Sequence, residues 1–292
     1  MNQLLNDRRS GASDVNGGIA LELVVRRRFV LVWALLVCLF AELSFVLLDY
    51  HVNYARGTTI GPLRRMFNIT REDGLASWFG ITQTFLVALT LWLTWFTVRL
   101  TNSSRWRRLG WLMLAAMFTY MAADDGATIH ERMGSTLDVL RERSAPTDAD
   151  APSGWFPSYS WQIIFVPVFA ALGLFMLIFL ARELGDRTSR WLVITAVGCL
   201  TLAVGLDFFE GLPRGHEWNV YSSIADRFDL ESFTERRFQV SPFTALVHFS
   251  KSLEETLEML SMTLLWLVFL RHWMILADGL RLRFVGPRDL RG

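Results

Sequence analysis

The sequence predicts an all-α, polytopic membrane protein with six transmembrane helices, and three observations support this prediction. Hydrophobic residues make up 52% of the 292 residues, whereas charged residues make up only 20%. The hydrophobic residues are gathered into blocks of about the length that a helix needs to cross a bilayer, roughly 20 residues. Arginines flank these blocks. Soluble proteins carry a larger charged fraction, about a quarter, so the composition argues against a soluble domain.

Six blocks form the predicted spans. They cover residues 29–48, 76–98, 109–123, 161–181, 191–208 and 257–270. The third and sixth have short apolar cores, and both are expected to continue as helix beyond the membrane. The first follows Arg26, Arg27 and Arg28, and no small-residue cleavage site comes after it. It is therefore interpreted as a retained helix and not as a signal peptide.

The distribution of arginine predicts the orientation. Six spans place both termini on one side of the membrane, and the short connections on that side are rich in arginine, namely Arg105, Arg107, Arg108, Arg182, Arg187, Arg190 and Arg271. Short cytoplasmic connections carry an excess of basic residues. Both termini are therefore predicted to be cytoplasmic, and the predicted location is the plasma membrane, a bacterial inner membrane.

The chain divides into two tails and one membrane domain. Residues 1–25 are polar and predicted to be a disordered cytoplasmic tail. Residues 26–273 form the six-helix domain, with outer loops at 50–75, 125–160 and 211–250, and residues 274–292 form a second cytoplasmic tail. A flexible connector is expected at 144–153. Short helices are expected near 217–228 and from Pro242 onward, where Ser241 is a suitable N-cap.

Composition also excludes some functions. The net charge is +1 and no basic stripe exists away from the spans, so nucleic acid is not an expected partner. The two cysteines, Cys38 and Cys199, both lie in apolar spans. They provide neither a disulfide framework nor a thiolate metal site. The lipid bilayer is the expected partner, and the sequence does not indicate an oligomeric state.

Ionisable residues near the spans are concentrated on the predicted outer side. They are Glu42, Asp49, Glu72, Asp73, Asp124, Asp125, His130, Glu131, Asp207, Glu210, His248, Lys251, Glu254, Glu255 and Glu258. Acidic residues contribute little to membrane orientation. Their concentration on one side therefore points to a role other than orientation.

Helical phase predicts that these residues form pairs. Residues seven apart on a helix return to within about 20° of each other. Three pairs have this spacing, and two more are four and three apart: Glu42 and Asp49, Asp124 and Glu131, His248 and Glu255, Glu254 and Glu258, Asp207 and Glu210. Spans one, three, five and six are thus each expected to present a pair to a common centre.

These acids require compensating positive charge. A lone charge near the bilayer centre costs on the order of 2.5–3.5 kcal/mol even on the lenient insertion scale. Carboxylates at the C-terminal ends of spans one, three and five also oppose the helix dipole. A metal ion, outer-loop arginines or shared protons could each supply the compensation.

The first interpretation is a divalent metal site near the outer face. Carboxylates with histidine suit zinc, iron, manganese or calcium, and helical bundles are known to hold such sites. The predicted ligands are Asp124, Glu131, Glu254 and Glu258, followed by His130 and Asp207. His130 lies about 120° from the Asp124–Glu131 face of an unbroken helix, so it joins them only if the helix distorts, which Gly126 would allow.

A polar network is expected to support this metal site. It consists of Glu42, Asp49, Asp125, Glu210, His248, Lys251 and Glu255. A metal held there could activate water or polarise a carbonyl, so the protein could be a metal-dependent enzyme that acts on a lipid or small molecule at the outer face. No catalytic residue is assigned.

Two alternatives remain open. Glu42, Asp207 and Glu258 could relay protons or cations in a transporter or channel, although the cytoplasmic half of the spans has almost no ionisable residue. Alternatively, the acids could be structural and pair with the outer-loop bases Arg56, Arg64, Arg65, Arg71, Arg132, Arg214, Arg236, Arg237 and Lys251.

Two motifs carry a resemblance. The run Asp124-Asp125-x4-His130-Glu131, together with Glu254-Glu255-x-x-Glu258-Met259, resembles a set of uncharacterised bacterial multi-pass membrane proteins. These proteins have an acidic pair followed by His-Glu after a middle helix and a Glu-rich start to the last helix. The resemblance covers the second half of the chain, and it implies no activity.

Overall fold

A computed structural model of the protein describes residues 26–144 and 156–278, and within these ranges all regular structure is helical. The helices are α1 (Arg27–Leu48), which continues as a π-helix over Asp49–Tyr54, α2 (Gly61–Met66), α3 (Leu75–Leu100), α4 (Arg105–Ala127), α5 (Ile129–Ser144), α6 (Trp161–Glu183), α7 (Arg187–Glu210), α8 (Val220–Arg227), α9 (Glu231–Phe238) and α10 (Pro242–Leu276). The predicted tail at 1–25, most of the tail at 274–292 and nearly all of the connector at 144–153 lie outside the described residues.

Five helices are long and apolar enough to cross a membrane: Arg27–Tyr54, Leu75–Leu100, Trp161–Glu183, Arg187–Glu210 and Pro242–Leu276. They contain the first, second, fourth, fifth and sixth predicted spans. The third predicted span lies in α4, whose 23 residues measure roughly 35 Å at about 1.5 Å per residue. This helix does not belong to the five, because its apolar stretch is shorter.

Side-chain caps set the start of four helices. Ser104 Oγ accepts a hydrogen bond from the backbone N–H of Arg107 at the start of α4, and Asp186 Oδ2 accepts from Ser189 at the start of α7. Asn219 and Ser241 cap α8 and α10 in the same way. Such caps satisfy backbone N–H groups that the helix itself leaves unpaired. The expected N-cap at Ser241 is confirmed.

Helix α10 is the centre of the bundle. It packs antiparallel along α7 and α1 and parallel along α3, and α3 packs along α4. Helix α6 completes the bundle through contacts with α4, α5 and α7. The packing places the C-terminal ends of α1, α4 and α7 beside the start of α3, α6 and α10. We call this the acidic end, since the clustered carboxylates described below lie there.

The other half of the bundle is filled by an apolar core. Buried side chains from α3, α4, α6, α7 and α10 form it, including Leu91, Trp111, Phe118, Met176, Leu180, Leu265 and Phe269. Close helix contact is possible because residue 110 is glycine: a Cβ there would overlap the ring of Phe179. Steric fit of this kind is how helix pairs associate where surrounding lipid removes the hydrophobic driving force.

Candidate functional site

A break in the helix between α4 and α5 positions His130. Thr128 adopts the left-handed conformation with a φ of 50°, which is uncommon for a β-branched residue. The chain turns there, so that the backbone N–H of His130 donates to Asp124 Oδ1 over 2.9 Å. His130 Nδ1 lies 2.8 Å from Asp124 Oδ2. Through these two contacts the buried Asp124 caps the start of α5 and orients the imidazole at the same time.

This break overturns the predicted face shared by Asp124 and Glu131. That prediction assumed an unbroken helix, in which His130 would point away from Asp124. The distortion that was expected to depend on Gly126 occurs at Thr128, while Gly126 remains helical. As a result Asp124 binds His130, and Glu131 turns to Glu72, with which it shares a side-chain hydrogen bond.

Two groups beside this break have shifted pKa values. Burial and the hydrogen bond to Glu131 raise the pKa of Glu72, because two adjacent carboxylates cannot both ionise without repulsion. Burial lowers the pKa of His130. The hydrogen bond and charge of Asp124, together with the charges of Glu131 and Asp125, raise this pKa by more than burial lowers it, so the net shift is upward. The imidazolium form of His130 is therefore favoured by its neighbours.

The largest group of carboxylates lies between α7 and α10. Lys251 Nζ is 3.6 Å from Glu210 Oε1, and it also interacts with Asp207, Glu254 and Glu255. Gln162 Nε2, from α6, donates to Asp207 Oδ2 over 2.8 Å. The ion pair of Lys251 is thus made with Glu210, at the end of α7.

Asp125 and Glu258 extend this group toward α4. Thr84 Oγ1 donates to Asp125 Oδ2 over 3.0 Å. Glu258 interacts with Asp125, Asp207, Glu254 and Glu255. Both side chains are exposed, and they line the space between α4 and α10 at the acidic end.

A second polar network is separate from this space. Glu42 Oε1 accepts from Gln83 Nε2 over 3.0 Å and from Thr263 Oγ1 over 2.6 Å. Near the end of α1, Asp49 Oδ2 lies 2.9 Å from His248 Nε2, and Asp49 Oδ1 accepts from Asn53. These groups join α1 to α3 and α10.

The prediction that Glu42, Asp49 and His248 face a common centre with the other acids is therefore wrong. Helix α1 packs on the outside of α3 and α10, so its polar side chains meet those two helices and do not reach α7 or α4. Likewise His248 pairs with Asp49, whereas Glu255 interacts with Lys251 and Asp125.

The arginines that were predicted to lie in outer loops mostly bind groups other than the clustered acids. Arg64 donates to the carbonyl of Asn53, Arg132 to Thr128 and Arg236 to the carbonyl of Ser232. Arg71 pairs with Asp73, outside the cluster. Of the bases named by the structural interpretation, Lys251 is the one that the described residues place among the acids of α7 and α10.

The predicted metal ligands are not gathered into one coordination sphere. Asp124 is bound to His130, Glu131 to Glu72 and Asp207 to Gln162. Over residues 26–144 and 156–278, no group of three His, Cys, Asp or Glu side chains is arranged to hold a metal ion. The carboxylates lie within electrostatic reach of one another but wider apart than direct coordination requires.

Several residues of this site were not among the predicted ligands or the predicted supporting network. Glu72, Thr84, Gln162, Tyr159 and Tyr221 each contact or face a predicted acid. Burial raises the pKa of Tyr159 to about 12, and Glu210 and Asp207 raise it too while Lys251 lowers it. The signal for Glu72 was present in the sequence, because it directly precedes a span. The two tyrosines give no such signal.

Comparison with known proteins identifies the family of this chain. A family model described as a domain of unknown function (DUF8692) matches residues 28–273. No curated protein and no solved structure has significant similarity to the chain. The matched region runs from α1 into the last turn of α10, so every carboxylate discussed above lies within it.

The Asp124–His130 pair makes the pKa of His130 testable. In Asp124→Asn the main group that raises this pKa is lost and burial remains, so the pKa of His130 should fall. Histidine NMR titration measures this directly.

The same substitution should change the pH dependence of stability. The extra stability of the wild type is fully present below about pH 6.5 and disappears as the pH rises through the raised pKa of folded His130. Thermal unfolding across this range should show the difference. Asp229→Asn, at an exposed acid of the outer loop, is the matched control, and unchanged titration of His130 in Asp124→Asn would contradict the assignment.

Proposed function

The chain belongs to the DUF8692 family, and we propose that it is a six-span membrane protein that binds a cation at its acidic end. The site lies in the space between α4, α7 and α10. Glu210 and Glu254 face the bound cation, Lys251 lies beside it, and Asp125, Asp207 and Glu258 add negative charge around it.

The six-span topology rests on α4. This helix is as long as the hydrocarbon thickness of a bilayer, about 30 Å, and its buried side chains Trp111, Leu114 and Phe118 belong to the same core as the five apolar helices. With α4 as a span, both termini lie on one side. Arginine in the short connections makes that side cytoplasmic, so the acidic end faces outward.

The excess of carboxylates over cations is the observation that carries the proposed function. Around the space lie Asp125, Asp207, Glu210, Glu254, Glu255 and Glu258, and the cations near them are Lys251 and His130. Like charges repel strongly where protein and lipid replace water. A bound cation would relieve this repulsion, and the exposure of Asp125 and Glu258 gives it access.

The closed inner half of the bundle favours a binding site over a continuous path. One and two turns beyond Glu258, Met262 and Leu265 enter the apolar core. An ion that moved further along this core would have to pass Leu91, Phe118 and Leu265, which are almost fully buried and carry no ligand atoms. We therefore propose occupancy from the outer side alone.

A divalent metal is a second candidate, which His130 favours. Because a carboxylate only accepts hydrogen bonds, the contact with Asp124 places the proton of a neutral His130 on Nδ1. A carboxylate that fixes histidine in this way is common behind metal-ligating imidazoles. Zinc, iron, manganese or calcium could then bind once side chains at the acidic end move together.

The topology can be tested by cysteine labelling, because the sequence has only Cys38 and Cys199. With both replaced by alanine, a single cysteine at Ser232 in the α8–α9 region should react with a membrane-impermeant maleimide in intact cells. A cysteine at Ser103, between α3 and α4, should react only after the membrane is opened. The reverse pattern, or labelling of both in intact cells, would contradict the six-span arrangement.

Cation binding should appear as a gain in stability. Purified full-length protein should unfold at a temperature higher by roughly 5 °C or more when a bound cation is present at about one hundred times its Kd. The screen uses sodium, calcium, manganese, zinc and ammonium salts at constant ionic strength.

Variants tie that gain to the proposed site. Glu258→Gln should be more stable than the wild type without added cation, since one repelling charge is gone, and should lose the cation-dependent gain. Glu235→Gln, at an exposed position on α9, should behave as the wild type. If no cation stabilises the folded wild type, the proposed function is wrong.

A further inference from the structure

Two carboxylate oxygens at the acidic end are buried without a hydrogen-bond partner. They are Glu210 Oε2, at the end of α7, and Glu254 Oε2, on the facing side of α10. Only 7% of Glu254 is exposed. Leaving a buried charged acceptor unpaired costs more than leaving a neutral one. The two oxygens therefore mark a place where a donor from outside the chain would bind.

Lys251 shows which donor suits this place. Its ammonium lies 3.6 Å from Glu210 Oε1, which is longer than a hydrogen bond between charged groups, about 2.7–2.9 Å. Lys251 thus supplies charge to Glu210 and Glu254 but leaves both Oε2 atoms free. A second ammonium group carries three N–H donors and could satisfy both oxygens together.

Two aromatic side chains lie near the same carboxylates. Tyr159 and Tyr221 are each within electrostatic reach of Glu210, Glu254 and Asp207. The ring of Tyr159 is fixed against Gly211, where a Cβ would overlap it, and the hydroxyl of Tyr221 lies 2.5 Å from Ser250 Oγ. Aromatic rings beside carboxylates are suited to organic ammonium groups, which gain from the ring face as well as from the charge.

We propose that Glu210 and Glu254 bind the primary ammonium group of an organic amine, with Tyr159 and Tyr221 beside its carbon stem. This inference rests on the proposed cation-binding function and names the class of cation. A bare metal ion fits less well, because Asp207 and Asp125 already accept hydrogen bonds from Gln162 and Thr84 and no three acids of the described chain converge.

The same chemistry has two sources. A free amine could enter from the outer solution, or the ammonium could belong to the headgroup of a lipid such as phosphatidylethanolamine. The site lies near the end of the spans, where headgroups lie, so both sources are close to it, and either would enter as the side chains over the two buried oxygens move aside. Ethanolamine as a free probe and the lipid as a bilayer component separate the two sources.

Calorimetric titration of the full-length protein in detergent tests the free amine. Ethanolamine should bind, whereas tetramethylammonium, which has the charge but no N–H donor, should bind at least about tenfold more weakly. Ethylene glycol, which lacks the charge, should not bind. Glu254→Gln and Glu210→Gln should each weaken ethanolamine binding about ten- to one-hundred-fold, and Glu235→Gln should leave it unchanged.

Nanodiscs test the lipid source. Phosphatidylethanolamine should raise the unfolding temperature above that in phosphatidylcholine for the wild type but not for Glu254→Gln, whose folding is checked in both lipids. A Glu254-dependent effect in either the titration or the nanodiscs supports the proposal.

The outcomes also separate this inference from the proposed function. If neither ethanolamine nor phosphatidylethanolamine has a Glu254-dependent effect while calcium, manganese or zinc binds, the cation-binding function stands and the ammonium assignment is wrong. If no cation of any class binds, both are wrong.

Discussion

Repulsion among the carboxylates of α7 and α10 is the constraint on which the rest of this structure depends. Glu210, Glu254 and Glu255 lie around a single lysine, and Glu258 lies near two of them. Charges that protein surrounds are retained only when opposite charge, protons or hydrogen bonds compensate them. Several features of the fold supply part of that compensation, and two oxygens remain without any.

The surrounding helices contribute polar side chains one at a time. Gln162 from α6 binds Asp207, Thr84 from α3 binds Asp125, and the turn at Thr128 brings His130 onto Asp124. Each contact fixes one carboxylate. The apolar core fills the opposite half of the bundle. The clustered carboxylates are therefore confined to one end of the helices, as the proposed binding from one side requires.

The sequence was sufficient to predict the helices and the end of the bundle at which the acids gather. Long apolar blocks and a 3.6-residue period define both. A helix begins at Pro242 as expected, and it continues without a break through the last span as α10. It was not sufficient to predict which acids meet. Threonine rarely adopts a left-handed backbone conformation, so the sequence gives no indication of the break at Thr128. Because of this break His130, and not Glu131, lies beside Asp124. Glu42 and Asp49 are separated from the other acids because α1 packs outside α3 and α10. Helical phase within one helix does not predict which helices pack beside it.

The central claim is that a bound cation lies between Glu210 and Glu254, and a high-resolution cryo-EM map of the full-length protein in lipid nanodiscs tests it most directly. The account predicts density that belongs to no protein atom within about 3 Å of both Glu210 Oε2 and Glu254 Oε2, continuing as a carbon stem past Tyr159. A map in which these two oxygens bond to protein groups or to each other, with nothing between them, would contradict the account.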